Sequence, residues 1–159
     1  MSKDNEKTNV MRILDQKKVP YEKYHYDFYV PLSGVEAAKK LNIPEEVMFK
    51  TLVTVGKTKE HYVFVIPVAE ELDLKKAAKV TGEKSIEMIA QKELLPLTGY
   101  IHGGCSPIGM KKFFATYIDE SATNKGQIVF SAGRVGYHVK VSLDELEKVI
   151  RFKFVDLLV

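Results

Sequence analysis

The chain has one cysteine and no tryptophan among its 159 residues, and these scarcities limit the protein classes to which it can belong. Cys105 alone cannot form an internal disulfide, and no CxxC or Cys/His spacing indicates a zinc site. The N-terminus lacks the apolar core of a signal peptide, and no apolar run approaches the roughly 20 residues of a membrane-spanning helix. We therefore expect a cytoplasmic protein in a reducing compartment.

Familiar catalytic and cofactor motifs are also missing. No GxSxG elbow occurs, and the glycines of "GGCSPIG", which begins at Gly103, match neither GxGxxG nor a Walker loop. The histidines form no HxxxH pair, so a metal site would have to be assembled by the fold; they are His25, His61, His102 and His138. The sequence therefore predicts neither a resident metal nor a cofactor.

Composition and length predict one globular domain spanning residues 1–159. The chain is 45% hydrophobic and 28% charged, and its length suffices to bury roughly two-thirds of the unfolded surface. A net charge of +3 is too small for a protein that wraps duplex DNA, although it permits a light grip on one end of a nucleic acid.

Hydrophobic periodicity predicts a mixture of helices and strands. An amphipathic helix begins at Thr8 or Asn9 and ends before Pro20, and "SGVEAAKKLNIP" opens with the capping box Ser33–Glu36. Further helical patterns are "LKKAAKVTG" after Asp73, a turn in "QKELLPLTG" broken by Pro96, and "LDELEKVI" near the C-terminus.

Strands are predicted in "YEKYHYDFYV" up to Pro31, at 49–55 and 61–67 as an antiparallel hairpin, in "SIEMIA", and in three segments of the last third, "ATYIDES", "GQIVFSAG" and "YHVKVS". Regular crossover helices do not separate them. We therefore predict an α+β domain with a mixed, barrel-like curved β-sheet and surrounding helices.

Lys50 interrupts the apolar segment "VMFKTLV" and is the first candidate for a functional residue. A lysine on such a strand face must extend to water, pair with a carboxylate, or point into a polar cavity. A compact ammonium in a cavity suits an anionic ligand or a polarised carbonyl. The pattern alone leaves these alternatives open.

Cys105 is the other candidate, because it lies between glycines and Ser106 with His102 nearby. Against a nucleophilic role, a free cysteine usually behaves as a small apolar residue, and a sequence does not show a lowered thiol pKa.

Several segments together resemble a known family. "PYEKYHYD", "MFKTLV", "LDLKKAAKVTG", "TGYIHGGCSPIGMKK" and "IVFSAGRVGYHV" occur in the order and at about the spacing seen in the YbaK/EbsC family of free-standing aminoacyl-tRNA deacylases. The most specific pieces are the FKT triplet from Phe49 and the GGxSPxG loop from Gly103 to Gly109. The resemblance covers nearly the whole chain and implies the mixed, barrel-like fold of the related prolyl-tRNA synthetase editing domain.

The resemblance implies roles for particular residues. Lys50 matches the family's essential lysine near the 3′-terminal adenosine and the ester, and Thr51 follows it. Gly103 and Gly104 match a loop whose backbone approaches the ester oxygen, as glycine's missing Cβ permits. The implied substrate-binding residues are Tyr26, Ser33, Thr51, Ser131 and His138.

The implied function is trans-editing of mischarged Cys-tRNA(Pro), and also of Cys-tRNA(Cys), through attack of the substrate thiol on its own ester. A synthetase site for proline cannot strongly reject another small side chain, so a second site sorts the product. The implied partners are aminoacyl-tRNA and prolyl-tRNA synthetase, which would supply tRNA identity.

Two departures from the family pattern bear on amino-acid specificity. Ser33 stands where a pocket phenylalanine is common, and "VGYH" places His138 where an aspartate is common. An Ala-tRNA(Pro) deacylase therefore remains an alternative, as does a non-catalytic module that binds tRNA or a synthetase.

Overall fold

The computed structural model describes residues 6–159. In chain order the elements are α1 (Asn9–Gln16), β1 (Glu22–His25), α2 (Gly34–Leu41), β2 (Phe49–Gly56), β3 (His61–Pro67), α3 (Leu74–Thr81), β4 (Ile86–Met88), α4 (Gln91–Thr98), β5 (Ala115–Asp119), β6 (Gln127–Ser131), β7 (Tyr137–Ser142), α5 (Leu143–Leu146) and β8 (Lys153–Val155). Short 3₁₀ helices occur at Glu45–Val47 and Glu120–Asn124.

Local sequence signals determine where the first three helices begin. The side chains of Thr8, Ser33 and Asp73 each accept hydrogen bonds from backbone N–H groups in the first turn of the helix that follows. The Glu36 carboxylate accepts the Ser33 N–H in return, which confirms the predicted capping box. Gly82 ends α3 in the left-handed conformation that glycine adopts without strain.

The strands form two sheets, so the predicted α+β mixture is confirmed. A three-stranded antiparallel sheet has the order β1-β7-β6, and a five-stranded mixed sheet has the order β4-β2-β3-β5-β8. β2 and β3 form the predicted antiparallel hairpin, while β5 and β8 add in parallel. Among residues 6–159 the sheets do not close into a barrel; an isolated parallel bridge between Met48 and Val129 links them.

Three apolar clusters hold the sheets and helices together. The largest, which includes Phe130 and Leu14, packs α1 and strands of both sheets. A second cluster joins Ala37 and Ala38 of α2 to Met48 beside the bridge between the sheets. The third places α3 against the five-stranded sheet. α2 is therefore anchored at the junction of the two sheets.

β1 is shorter than the alternating pattern predicts. Its pairing with β7 ends at His25 opposite Tyr137, and the Tyr26 N–H then donates to the Gly136 carbonyl oxygen at 3.0 Å. The partner chain turns away there, since Gly136 has a φ of +88°. Without a partner strand, the segment up to Pro31 leaves the sheet.

The predicted break at Pro96 is wrong, because α4 continues through it to Thr98. Proline removes an N–H only near the end of this helix, so one helical bond is lost. The last turn is completed by the Thr98 hydroxyl, which donates to the Leu94 carbonyl at 2.8 Å, and by the Gly99 N–H, which donates to the Leu95 carbonyl at 2.9 Å.

The predicted C-terminal helix is also shorter than expected, since α5 ends at Leu146 and continues only as turns. The chain then adds the unpredicted strand β8 beside β5. Phe152 and Phe154 contact each other edge to face at 5.3 Å and pack against the largest cluster, which favours the strand over a longer helix. No helix within residues 6–159 has the length and apolarity needed to cross a membrane.

Candidate functional site

A cavity of about 420 Å³ lies where the two sheets meet. It is bordered by the start of β2, the N-terminus of α2, the start of α4, the glycine loop after α4, the end of β6 and the start of β7. Seven of the eight residues proposed from the sequence line this cavity: Tyr26, Ser33, Lys50, Thr51, Gly103, Ser131 and His138. The fold therefore brings together residues that are up to about a hundred positions apart in the chain.

Lys50 is the second residue of β2 and is half-buried. Burial lowers the pKa of its ammonium, and the more distant carboxylates of Glu71 and Glu70 oppose that shift. Among the described residues, no carboxylate lies within ion-pair distance of Lys50. The site thus holds a partly desolvated cation with no direct counterion, which is able to attract an anion or a developing oxyanion.

Thr51 and His138 each bring a buried polar atom without a partner to the cavity lining. In the part of the chain that the structure describes, the Thr51 hydroxyl oxygen and the His138 Nδ1 atom have no hydrogen-bond partner. Burial lowers the pKa of His138 to about 4, so its imidazole is neutral at physiological pH. Buried polar atoms are usually hydrogen-bonded in native proteins, so both atoms are candidates to bind a ligand.

Tyr26 and Ser131 both lie next to His138. The Tyr26 ring stacks on the His138 ring with centroids 6.0 Å apart, and Ser131 pairs with His138 across β6 and β7. The Ser131 hydroxyl oxygen accepts the Gly133 N–H at 3.1 Å, which leaves the hydroxyl proton for donation.

The two glycines of the loop play different parts. Gly103 is exposed, lines the cavity and has a φ of +87°, a conformation that suits glycine. Gly104 is buried and does not line the cavity, and its N–H donates to the Ile101 carbonyl oxygen at 3.0 Å. A Cβ on Gly104 would lie 3.1 Å from the Val135 nitrogen, so this glycine permits close backbone packing. The Gly104 N–H therefore already has an acceptor within the loop.

Among residues 6–159, no acceptor takes the Gly103 N–H. Gly103 is exposed and lines the cavity, whereas the Gly104 N–H is already bonded within the loop. A role for either backbone N–H toward a substrate stays a prediction.

Ser33 has a structural task besides its position in the lining. Its hydroxyl oxygen accepts the Glu36 N–H at 3.2 Å as the N-cap of α2. The neighbouring Gly34 admits no side chain, because a Cβ there would lie 2.6 Å from Val68. The first turn of α2 therefore fits closely against the cavity wall, with the small Ser33 where a larger side chain would fill space.

Sequence reasoning missed the apolar part of the lining and two polar residues, His102 and Gln91. His102 is exposed beside Gly103, and its place in the loop motif is the one signal that points to it. The apolar lining residues read as ordinary core positions in the sequence; they include Leu32, Met48, Leu52, Val68, Ile89 and Leu94.

Cys105 also lines the cavity, but its thiol is not activated as a nucleophile. Burial raises its pKa to about 12, so the thiol stays protonated at neutral pH. A thiolate is the nucleophilic form of cysteine, and this environment disfavours it. Within the described ranges, no three His, Cys, Asp or Glu side chains cluster as metal ligands do.

Comparisons with known proteins agree with this geometry. The family model described as aminoacyl-tRNA editing domain matches residues 32–149. EbsC of Enterococcus faecalis, which is named as a candidate Cys-tRNA(Pro)/Cys-tRNA(Cys) deacylase, is 44% identical over 98% of this chain and 95% of its own length.

Solved structures share the fold at lower identity. A protein described as a candidate trans-editing enzyme for prolyl-tRNA synthetase superposes with a TM-score of 0.78 at 21% identity, covering 97% of this chain and 99% of its own. The hypothetical protein APE2540 gives a TM-score of 0.82 at 20% identity, covering 96% and 100%. Because the family model spans most of the chain and the EbsC match nearly all of it, this protein belongs to the aminoacyl-tRNA editing domain family.

Proposed function

We propose that this protein is a trans-editing deacylase that removes cysteine from mischarged Cys-tRNA(Pro), and also acts on Cys-tRNA(Cys). Family membership and the name of the 44% identical relative support the reaction. The observation that carries the proposal is the cavity. Its lining includes the partly desolvated Lys50, together with Thr51 and His138, each of which has a buried polar atom without a partner within residues 6–159, and the Cys105 thiol in the same lining is not activated.

The protonated Cys105 thiol in the cavity lining fits a route in which the substrate's own thiol attacks. The cysteine sulfur forms a bond to its ester carbonyl carbon, and the bond from that carbon to the ribose oxygen breaks. The thiol proton passes to the departing ribose oxygen, so the products are a cyclic thiolactone and uncharged tRNA. Water then opens the thiolactone to cysteine. The protein has to hold the thiol near the carbonyl and stabilise negative charge on the carbonyl oxygen.

Each proposed residue has a task in this scheme. The Lys50 ammonium stabilises the oxyanion or fixes the phosphate of the terminal nucleotide, and the Gly103 N–H donates to the ester oxygen. A neutral His138 is a weak base, since burial lowers its pKa to about 4, so it orients the thiol as a hydrogen-bond acceptor. Thr51 and Ser131 supply further hydroxyl groups around the ester.

The deciding experiment compares one proline tRNA charged with cysteine and with alanine. We expect the purified protein to release cysteine faster. Charging with 2-aminobutyrate, which has a methyl group in place of the thiol, nearly keeps the size of the side chain but removes the nucleophile, and we expect this substrate to persist. Rapid loss of 2-aminobutyrate would overturn the proposed route and require an activated water or protein nucleophile.

Removal of alanine is the second candidate reaction. It is favoured by Ser33 and His138, which stand where the YbaK/EbsC family often has phenylalanine and aspartate. Faster loss of alanine in the same assay would establish it. Loss of neither amino acid, with tRNA bound, would indicate a binding module.

We further propose that prolyl-tRNA synthetase is the partner that selects the tRNA. A net charge of +3 provides few phosphate contacts, so the protein's own affinity for tRNA is expected to be weak and salt-sensitive. The single buried cysteine fits work in the reducing cytoplasm, where the substrate occurs. Addition of the synthetase should raise the deacylation rate for proline tRNA, and the same rate with and without it would contradict this partner.

A further inference from the structure

A second cleft, of about 650 Å³, adjoins the cavity. We call it the side cleft; parts of residues 25–28, 99–101 and 133–137 line it together with Glu6. Tyr26 lines both spaces, and the segment after α4 borders both, since Ile101 lies in the side cleft and Gly103 in the cavity. A ligand that extends past Tyr26 from the cavity would enter the side cleft.

Phe28 gives the side cleft a flat aromatic surface. A Cβ on Gly136 would lie 3.1 Å from the Phe28 ring, so one part of this ring rests on the Gly136 backbone. Its edge contacts Tyr26 at a centroid distance of 6.0 Å, and the side chain is 40% exposed. A partly exposed ring that is held by such contacts can stack on a nucleotide base.

The charged groups of the side cleft already compensate each other. The Arg134 guanidinium pairs with Glu6 at 2.5 Å and lies 5.3 Å from the centre of the Tyr137 ring. The His25 Nε2 atom lies 3.1 Å from the Asp27 carboxylate. The side cleft has no excess of positive charge that could bind a phosphate, which argues against an anion site.

The same groups suit the edge of a cytosine. A carboxylate accepts from the exocyclic amino group of cytosine, while a guanidinium donates to its ring nitrogen and carbonyl oxygen. Glu6 and Asp27 supply carboxylates, and Arg134 supplies the guanidinium. A carboxylate accepts up to about four hydrogen bonds and a guanidinium donates about five, so these groups can bond a base while they keep their present contacts. Uracil presents a carbonyl where cytosine has the amino group, so a carboxylate would repel it.

We propose that the side cleft binds the cytosine of the nucleotide preceding the terminal adenosine of tRNA, stacked on Phe28. The inference rests on the proposed function, because the aminoacylated adenosine must occupy the cavity for its neighbour to reach the side cleft. Every tRNA ends in CCA, so this contact increases affinity for the 3′ end without selecting a particular tRNA. Selection then has to come from elsewhere, as the proposed synthetase partner implies.

The test uses two minimal substrates, the cysteinyl ester of adenosine and that of the dinucleotide cytidylyl-adenosine, and compares their kcat/KM values. We expect the dinucleotide ester to be the better substrate. Phe28→Ala should lower its kcat/KM by roughly 5- to 100-fold, the usual range for loss of base stacking, and leave the adenosine ester unchanged. Equal losses on both esters would overturn the proposal, because Phe28 would then act on the cavity.

Matched variants control for unspecific effects. Phe113 is 70% exposed and lines neither space, so Phe113→Ala should behave like the unchanged protein on both esters. Arg134→Met should reduce the preference for cytidylyl-adenosine over uridylyl-adenosine esters, whereas Arg151→Met should not. Equal rates for the cytosine and uracil esters in the unchanged protein would refute base recognition in the side cleft.

A binding measurement separates this inference from the proposed reaction. Unacylated cytidylyl-adenosine, titrated into the protein and followed by NMR, should shift the amide signals of residues 25–28 and 133–137 in the unchanged protein and not in Phe28→Ala. These shifts without hydrolysis of either ester would support the side cleft and contradict the proposed function. No shifts, or equal shifts in the variant, would overturn the side cleft whatever the outcome of the deacylation assays.

Discussion

The two ends of the β2–β3 hairpin differ in the hydrogen bonding of their polar groups. At the turn, the buried Glu83 carboxylate accepts the Thr58 N–H at 3.1 Å, the Thr58 hydroxyl at 2.5 Å and the Tyr62 hydroxyl at 2.7 Å. At the cavity end, Lys50 has no ion-pair partner within residues 6–159, and the buried Thr51 hydroxyl has no hydrogen-bond partner there.

The pKa shifts at the two ends have different physical causes. The hydrogen bond to Glu83 raises the pKa of Tyr62 to about 12, and the bond from Thr58 lowers the pKa of Glu83. Both shifts favour the observed bonded forms. The pKa of Lys50 is lowered by burial, which disfavours its charged form. The polar groups at the turn therefore stabilise the fold through their bonds, whereas those at the cavity end lack protein partners within residues 6–159, at a cost to stability.

Lys50→Met should produce the largest effect on activity and none of the usual loss of stability. Removing an electrostatic contact to a developing oxyanion typically lowers the rate by roughly 100-fold or more. Because burial disfavours the Lys50 ammonium at neutral pH, an apolar side chain of similar length should not lower the melting temperature. Deacylation assays and thermal unfolding on the same preparation measure both quantities.

Lys153→Met is the matched control, since Lys153 is exposed on the edge strand β8. It should keep the activity and melting temperature of the unchanged protein. A Lys50→Met protein with full activity would remove Lys50 from the site, and a strongly lowered melting temperature would assign it a structural role instead.

A pair of threonine variants sharpens the comparison, because Thr51 and Thr58 lie on the same hairpin. Thr51→Val removes a hydroxyl with no partner within residues 6–159, so activity should fall roughly 10-fold with stability unchanged or slightly raised. Thr58→Val removes the hydroxyl bonded to Glu83, so stability should fall by about 1 kcal/mol with activity unchanged. Urea unfolding and deacylation rates test both; the reverse pattern would refute the division between the two ends.

Local sequence signals predict the helix caps and the hairpin, because neighbours along the chain determine both. Alternation places Lys50 on a strand but cannot choose between water, a carboxylate and a cavity, since that depends on which distant segments surround it. Resemblance to the family supplies the cavity residues, yet it could not predict that the Gly104 N–H bonds to Ile101.

Features assembled from distant segments lie outside such signals altogether. The side cleft combines four separate stretches of the chain, and Phe28 belongs to a pattern that predicts a strand. Pro96 reads as a helix break because a sequence does not show that the helix needs only two more residues. Likewise, only the structure shows that the Thr51 hydroxyl has no hydrogen-bond partner within residues 6–159.

Cys105→Ala should have the smallest effect of these changes. Burial raises the pKa of the thiol to about 12, so Cys105 contributes packing and not a nucleophile. The Cys105→Ala protein should release cysteine at a rate within about 2-fold of that of the unchanged protein. Its stability should be lower by roughly 1 kcal/mol because a buried sulfur is lost. Alkylation of the unfolded but not the folded protein would show the same protection. Cys105 and Lys50 line the same cavity. A large loss of activity in Cys105→Ala, together with a mild loss in Lys50→Met, would therefore contradict both predictions and indicate that the Cys105 thiol is the nucleophile.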